Sequence, residues 1–156
     1  MKRPSADLLA YICLTLLGLY AGAEMIAPHH GLTKAGCRVG FVYDGDTVEL
    51  LCGLQTQTAR LVGFDTPETR EAGCPAEAAL GLRAKLRLGD LVAQGQGQGP
   101  GPGDVLLDDR GVDRYGRRLV AMQVGARDVA EVMIAEGLAV AYSGEARIDW
   151  CARLSD

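Results

Sequence analysis

The chain is poor in aromatic residues, 5% in all, which argues against an extended base-stacking platform of the kind that grips single-stranded nucleic acid. It also lacks a basic excess. Against 20 Asp and Glu stand 16 Lys and Arg, giving a formal charge of -4 and a pI of about 5.2, so any site that handles phosphate must be local. No C-x-x-C spacing occurs, and the only histidines, His29 and His30, adjoin each other in a stretch with Pro28 and Gly31, so a zinc site has no ligand set. The one Gly-rich tract, Gln94 to Gly103, lacks the G-x-x-x-x-G-K-[ST] pattern of a phosphate loop and reads as a mobile loop. No apolar run reaches the roughly 20 residues that a spanning helix needs. What remains is 156 residues with 48% hydrophobic content, enough for one core and one domain.

The longest apolar run is informative by its position. Lys2 and Arg3 precede an uncharged stretch from Leu8 to Leu19, and Tyr20-Ala21-Gly22-Ala23 supplies an A-x-A site before Glu24. That order predicts a Sec-type signal peptide over 1–23, or a membrane anchor over 8–23 if it is not cleaved. Cleavage would remove Lys2, Arg3 and Asp7 together and take the formal charge from -4 to -5. Residues 24–36 carry Pro28, Gly31 and Gly36 without periodicity and read as a flexible linker, so the globular domain is expected over 37–156. Export to the periplasm or the medium also suits the cysteines. Cys13 leaves with the presequence, and Cys37, Cys52, Cys74 and Cys151 remain, an even number for an oxidising compartment. Three pairings are open to them; Cys37 and Cys52 bracket one expected hairpin, which favours 37–52 with 74–151.

Within the domain, Val39, Phe41 and Tyr43 alternate, an Asp44-Gly45 turn follows, and Thr47 to Leu51 reads as a second strand. Gln57 to Phe64 supplies a third. Pro75 suits a first helical position, and Ala76, Leu80, Ala84, Leu88 and Leu91 recur at helical spacing, which predicts an amphipathic helix to about Leu91. Val105 to Leu107 and Arg118 to Val124 form a further strand pair around a polar hinge at 113–117. Asp128 then N-caps a second helix, with Glu131 as its capping-box partner and Gly137 as its stop. Five short strands with a helix between the third and fourth is the order of an OB-fold. The predicted class is therefore α+β, mainly β: a five-stranded OB-fold barrel with two or three short helices, whose face and loops often bind nucleic acids. Such a fold permits that function without establishing it.

Three polar clusters fall at strand ends: Asp44-Gly45-Asp46-Thr47, then Arg60 with Asp65-Thr66-Pro67-Glu68-Thr69, then Asp113-Arg114-Tyr115-Gly116-Arg117. Asp46 and Asp65 are hard oxygen donors of the kind calcium takes. Glu68, after the restraining Pro67, is placed to orient or deprotonate a water. Arg60 and Arg117 would converge on one phosphate if the barrel closes, where guanidinium forks bind oxygens bidentately and stay charged. Arg110, Arg118 and Arg127 read as ordinary surface arginines in salt bridges.

In this order and with these intervals, the clusters resemble the staphylococcal nuclease family, over nearly everything from Cys37 to about Tyr142. The resemblance implies a calcium-dependent nuclease that hydrolyses phosphodiester bonds of DNA or RNA by in-line attack of water, leaving 3′-phosphate products. It implies Asp46, Asp65 and the Thr66 carbonyl as Ca2+ ligands and Glu68, Arg60 and Arg117 as the catalytic residues. Arg114, where the type member has lysine, Tyr115 and Tyr142 would contact the substrate phosphate. Nucleic acid is then the partner of a monomer without a stable protein partner, and a membrane matters only through an uncleaved N-terminal segment. The segment after Tyr142 departs from the family's long C-terminal helix, and a disulfide from Cys151 would hold that tail instead. The competing reading is a non-catalytic OB-fold module that binds nucleic acid or protein around a structural calcium site. Degenerate modules lose the acids or arginines, whereas here all of these positions are intact.

Overall fold

A computed structural model of the chain describes residues 37–96 and 105–155. The expected signal peptide and linker, 1–36, lie outside the described residues, as does most of the Gly/Gln/Pro tract. Among the described residues no helix is long and apolar enough to cross a membrane.

Strand β1 (Cys37–Val42) pairs antiparallel with β2 (Thr47–Cys52), and β2 with β3 (Gln55–Leu61). Strand β3 runs parallel to β6 (Arg118–Val124), which pairs antiparallel with β5 (Val105–Val112). The resulting order, β1-β2-β3-β6-β5, is the five-stranded mixed sheet of an OB-type fold, with the short β7 (Arg127–Asp128) added to β6. A separate two-stranded sheet joins β4 (Gly63–Asp65) to β8 (Val140–Tyr142). The third expected strand is thus two, because Gly63 takes a φ of 95°, a left-handed conformation that breaks the ladder between Leu61 and Phe64.

Helix α1 (Pro75–Gly95) starts at Pro75 and turns Ala84, Leu88, Leu91 and Val92 onto the core, where each of the two leucines and the valine contributes about 1.5–3 kcal/mol. It outruns the expected end at Leu91 by four residues. The reason is local: a Cβ on Gly95 would lie 2.6 Å from Val105 Cγ2, so only glycine lets this last turn close on β5. Gln94 and Gly95 are therefore helical and not loop. Helix α2 (Val129–Ala135) is capped by Asp128, whose carboxylate accepts the N–H groups of Ala130 and Glu131. Helix α3 (Trp150–Leu154) is capped by Asp149. Val39, Val48, Leu50, Leu61, Phe64, Leu88, Val120 and Met133 belong to one buried core.

Two disulfides close the domain. Cys37 and Cys52 stand opposite each other across the β1–β2 hairpin and are bonded, and Cys74, just before α1, is bonded to Cys151 on α3.

Candidate active site

Each sequence cluster lies at an end of a strand, and the sheet brings those ends together. The β1–β2 turn is tight because Asp44 Oδ1 accepts the Asp46 N–H at 3.0 Å. It is then pressed against the loop after β4, where a Cβ on Gly45 would meet Thr66 Oγ1 at 2.8 Å. Asp46 consequently accepts both the N–H and the hydroxyl of Thr66 through Oδ2, each at 3.1 Å. Its other oxygen accepts Arg60 Nη1 at 2.9 Å, while Arg60 Nη2 donates to Asp65 Oδ1 at 2.8 Å. One guanidinium at the end of β3 thus spans both carboxylates.

Asp46, Asp65 and Thr66 are almost wholly buried, at 2%, 1% and 2% exposure, and do not themselves line the adjacent cleft. The cleft, about 1120 Å³, is walled by Arg60, Glu68, Arg114, Tyr115, Arg117 and Tyr142, among others. Every site residue anticipated from the sequence is therefore either on its wall or one bond behind it. Burial pushes the Asp46 carboxyl up to about 7 from an ordinary 3.8, with Asp44 and Asp65 adding to the shift and Arg60 and the Thr66 N–H opposing it. Such a carboxyl binds its proton more tightly folded than unfolded. It favours folding fully below the unfolded value, and that contribution is lost as pH rises to about 7. The chain stripped of divalent cations should accordingly gain stability from Asp46 at pH 4 and lose that gain by pH 8. Chelator-treated melting curves of the wild type and Asp46→Asn, compared over this range, check it: the variant's curve should fall less with rising pH.

Arg117 lies past the β5–β6 hinge, where Gly116 has a φ of 80°. Asp113 shapes this turn by accepting the N–H groups of Tyr115 and Arg117 through Oδ1, and it holds Arg117 Nε at 2.7 Å through Oδ2. Burial works to raise the Asp113 pKa, but these bonds outweigh it and hold the carboxyl below its ordinary value. The Tyr115 ring, well exposed, is flanked by the guanidinium groups of Arg114 and Arg117 at 4.8 and 5.7 Å. Tyr142 is brought to the same wall by its pairing with Gly63 in the β4–β8 sheet. Arg118 and Arg110 pair with Asp109 and Asp108, as expected of surface arginines, whereas Arg127 donates to the amide oxygen of Gln94 and not to a carboxylate.

Four residues escaped the sequence reading. Arg147, between β8 and α3, donates through Nε to Asp65 Oδ1 at 2.8 Å, through Nη1 to Glu68 Oε1 at 2.6 Å and through Nη2 to the Thr66 carbonyl at 3.3 Å. Burial disfavours its charge, but these acceptors hold its pKa above the ordinary value. Trp150 donates its indole N–H to Asp65 Oδ2 at 3.2 Å. Glu77, buried on α1, accepts the N–H groups of Glu68 and Gly73 at 3.2 and 2.7 Å and so fixes the loop that carries Glu68. Gly81 faces the same loop: a Cβ there would lie 2.5 Å from the Glu68 carbonyl oxygen and 2.7 Å from that of Pro67. Backbone cannot swing aside as a side-chain tip can. Gly81→Ala is therefore expected to lower stability by about 1–3 kcal/mol through overpacking and to displace Glu68. Denaturant melts and hydrolysis rates measured together check this, since Gly89→Ala, which meets nothing within 4 Å, should do neither.

The donor set suits a hard divalent cation: two buried carboxylates and a backbone carbonyl, all oxygen. Two of these oxygens already share one cationic partner, since the Arg147 guanidinium bonds Asp65 Oδ1 through Nε and the Thr66 carbonyl through Nη2.

A mixed OB-type sheet with buried carboxylates and a guanidinium-lined cleft at its strand ends defines a small α+β protein of the OB-fold class. Residues 58–149 match the family described as staphylococcal nuclease homologue, and the chain belongs to that family. The match starts beyond the Asp44–Asp46 turn, so the juxtaposition of Asp46 with Asp65 is a finding of geometry. The chain is similar to the micrococcal nuclease of Shigella flexneri, with 32% identity over 110 residues, 65% of this chain and 55% of that protein. It is 33% identical over 110 residues to a Haemophilus influenzae protein described as an uncharacterized endonuclease, 70% of this chain and 53% of that one. With endonuclease YncB of Bacillus subtilis it shares 35% identity over 102 residues, 64% of this chain and 44% of that protein. The chain spans about half the length of the curated relatives it matches.

Proposed function

We propose that this chain is an exported, calcium-dependent nuclease that hydrolyses phosphodiester bonds of DNA or RNA, with residues 1–23 directing export and 37–156 forming the nuclease domain. The observation that carries the reading is the span of Arg60 across Asp46 and Asp65 on the wall of a cleft that Arg117 also lines. Similarity to relatives that bear nuclease names supports it, and two disulfides suit an oxidising compartment.

Asp46, Asp65 and the Thr66 carbonyl would hold the calcium ion. When bound, it supplies charge neutralisation and polarisation at the phosphate. Arg60 and Arg117 grip non-bridging oxygens and stabilise the five-coordinate transition state as its negative charge grows. Glu68, on the same cleft, takes the proton of the attacking water, and the 5′ oxygen departs to leave a 3′-phosphate. Arg114, Tyr115 and Tyr142 orient the flanking phosphate.

A calcium-titrated hydrolysis assay on purified protein tests the reading. Activity should rise with calcium and vanish in excess EGTA; equal rates in chelator would sink the metal assignment, and no hydrolysis of either DNA or RNA would leave only a binding module.

A further inference from the structure

Arg147 lies outside the three polar clusters in sequence, yet its guanidinium bonds directly to residues of the second. Its three nitrogens bond Asp65, Glu68 and the Thr66 carbonyl, that is, two of the three groups assigned to the cation and the group assigned to the water. It lines the cleft, with 41% of its side chain exposed, while Asp65 and Thr66 lie behind it. Asp65 has no idle oxygen in this arrangement: Oδ1 accepts from Arg60 and Arg147, and Oδ2 from Trp150. A divalent ion and a guanidinium cannot both saturate the same carboxylate oxygen and carbonyl, because each needs the lone pairs that the other occupies and like charges repel.

Resting on the nuclease reading above, we propose that Arg147 is a further substrate-binding residue, a guanidinium that rests on the cation-binding oxygens and passes to the substrate phosphate when a divalent ion takes them. The exchange conserves the charge needed at each stage. Without a cation, Arg147 joins Arg60 in neutralising the buried Asp46 and Asp65, for which one guanidinium is a charge short. With one bound, Asp65 no longer needs it, and a planar five-donor fork is left beside the cleft that Arg60 and Arg117 also line, where phosphate is the complementary acceptor. Arg147 lies on a connection between β8 and α3, with neighbours Glu145, Ala146 and Ile148 all exposed, so the side chain can swing without disturbing the core.

Trp150, the only tryptophan of the chain and a direct partner of Asp65, provides a fluorescence signal for cation binding that needs no turnover. Calcium titrations followed this way should be run on the purified chain, on Arg147→Ala and on Arg147→Lys. Calorimetric titrations of a nucleoside 3′-monophosphate should follow at saturating calcium. If Arg147 occupies the site most of the time, its removal should tighten calcium binding by about tenfold. The same removal should weaken the monophosphate by about tenfold, the loss of one charged hydrogen-bonded contact. Lysine keeps the charge but not the three-point fork, so Arg147→Lys should bind calcium more tightly than the wild type. Calcium affinity in Arg147→Ala equal to or weaker than wild type would overturn the proposal, as would unchanged monophosphate affinity. A wild type that binds no calcium at all would overturn the nuclease reading along with it, whereas a wild type that binds calcium beside an indifferent Arg147→Ala overturns this inference alone.

Discussion

Glu68→Gln is expected to remain folded and to lose about 10²–10⁴-fold of calcium-dependent hydrolysis, the range that a positioned general base contributes. The amide keeps the shape of the side chain and its neighbours but cannot accept the proton of the attacking water. Its backbone N–H still reaches Glu77, so the loop holds its course. Arg117→Ala should lose about 10²–10³-fold, the scale of removing one preorganised donor to a charge that develops in the transition state. The two differ in a way that hydrolysis kinetics can separate. Glu68 acts on the water, so kcat falls; Arg117 also grips the ground-state phosphate, so KM rises as well. Arg110→Ala is the control for simple loss of positive charge, because its guanidinium pairs with Asp108 at the exposed surface and should be worth little. Wild-type rates in Glu68→Gln would remove it from the mechanism.

How much of this was legible follows from how far apart the interacting residues lie in sequence. The Asp44-Gly45 turn, Pro75 at the start of α1 and Asp128 at the cap of α2 are local chemistry, and each stands where its residue type requires. The acids and arginines of the three clusters were legible because they sit at strand ends, where side chains face a common rim. Strand β5 was read too short because its second half, 108–112, is exposed on both faces and carries no apolar alternation. Arg147 and Trp150 reach Asp65 from more than 80 residues away, with no motif around them. Glu77 and Gly81 look like ordinary positions on an amphipathic helix, and only the approach of the Pro67–Glu68 backbone to α1 reveals what each does there.

Opening the Cys74–Cys151 bridge is expected to lower stability by about 4 kcal/mol in the chain-entropy model, because it closes a long loop of sequence separation 77. For a domain of this size that corresponds to a melting temperature lower by about 10–20 °C. The Cys37–Cys52 bridge closes a separation of only 15 between residues that the β1–β2 ladder already holds opposite each other, so Cys37→Ser should cost less. The site distinguishes the two further. Cys151 lies on α3, next to the buried Trp150 and four residues after Arg147, both of which bond Asp65. Releasing α3 should expose the indole and shift its emission to the red, and it should cut hydrolysis in dithiothreitol even below the melting temperature. Loss of the hairpin bridge should leave both signals in place, since Cys37 and Cys52 make no contact with the cleft. Cys151→Ser and Cys37→Ser, followed by calorimetry and by tryptophan emission, decide the matter. If Cys151→Ser melted with the wild type and kept its emission maximum, the packing of α3 would have to hold Arg147 and Trp150 against Asp65 without the bridge.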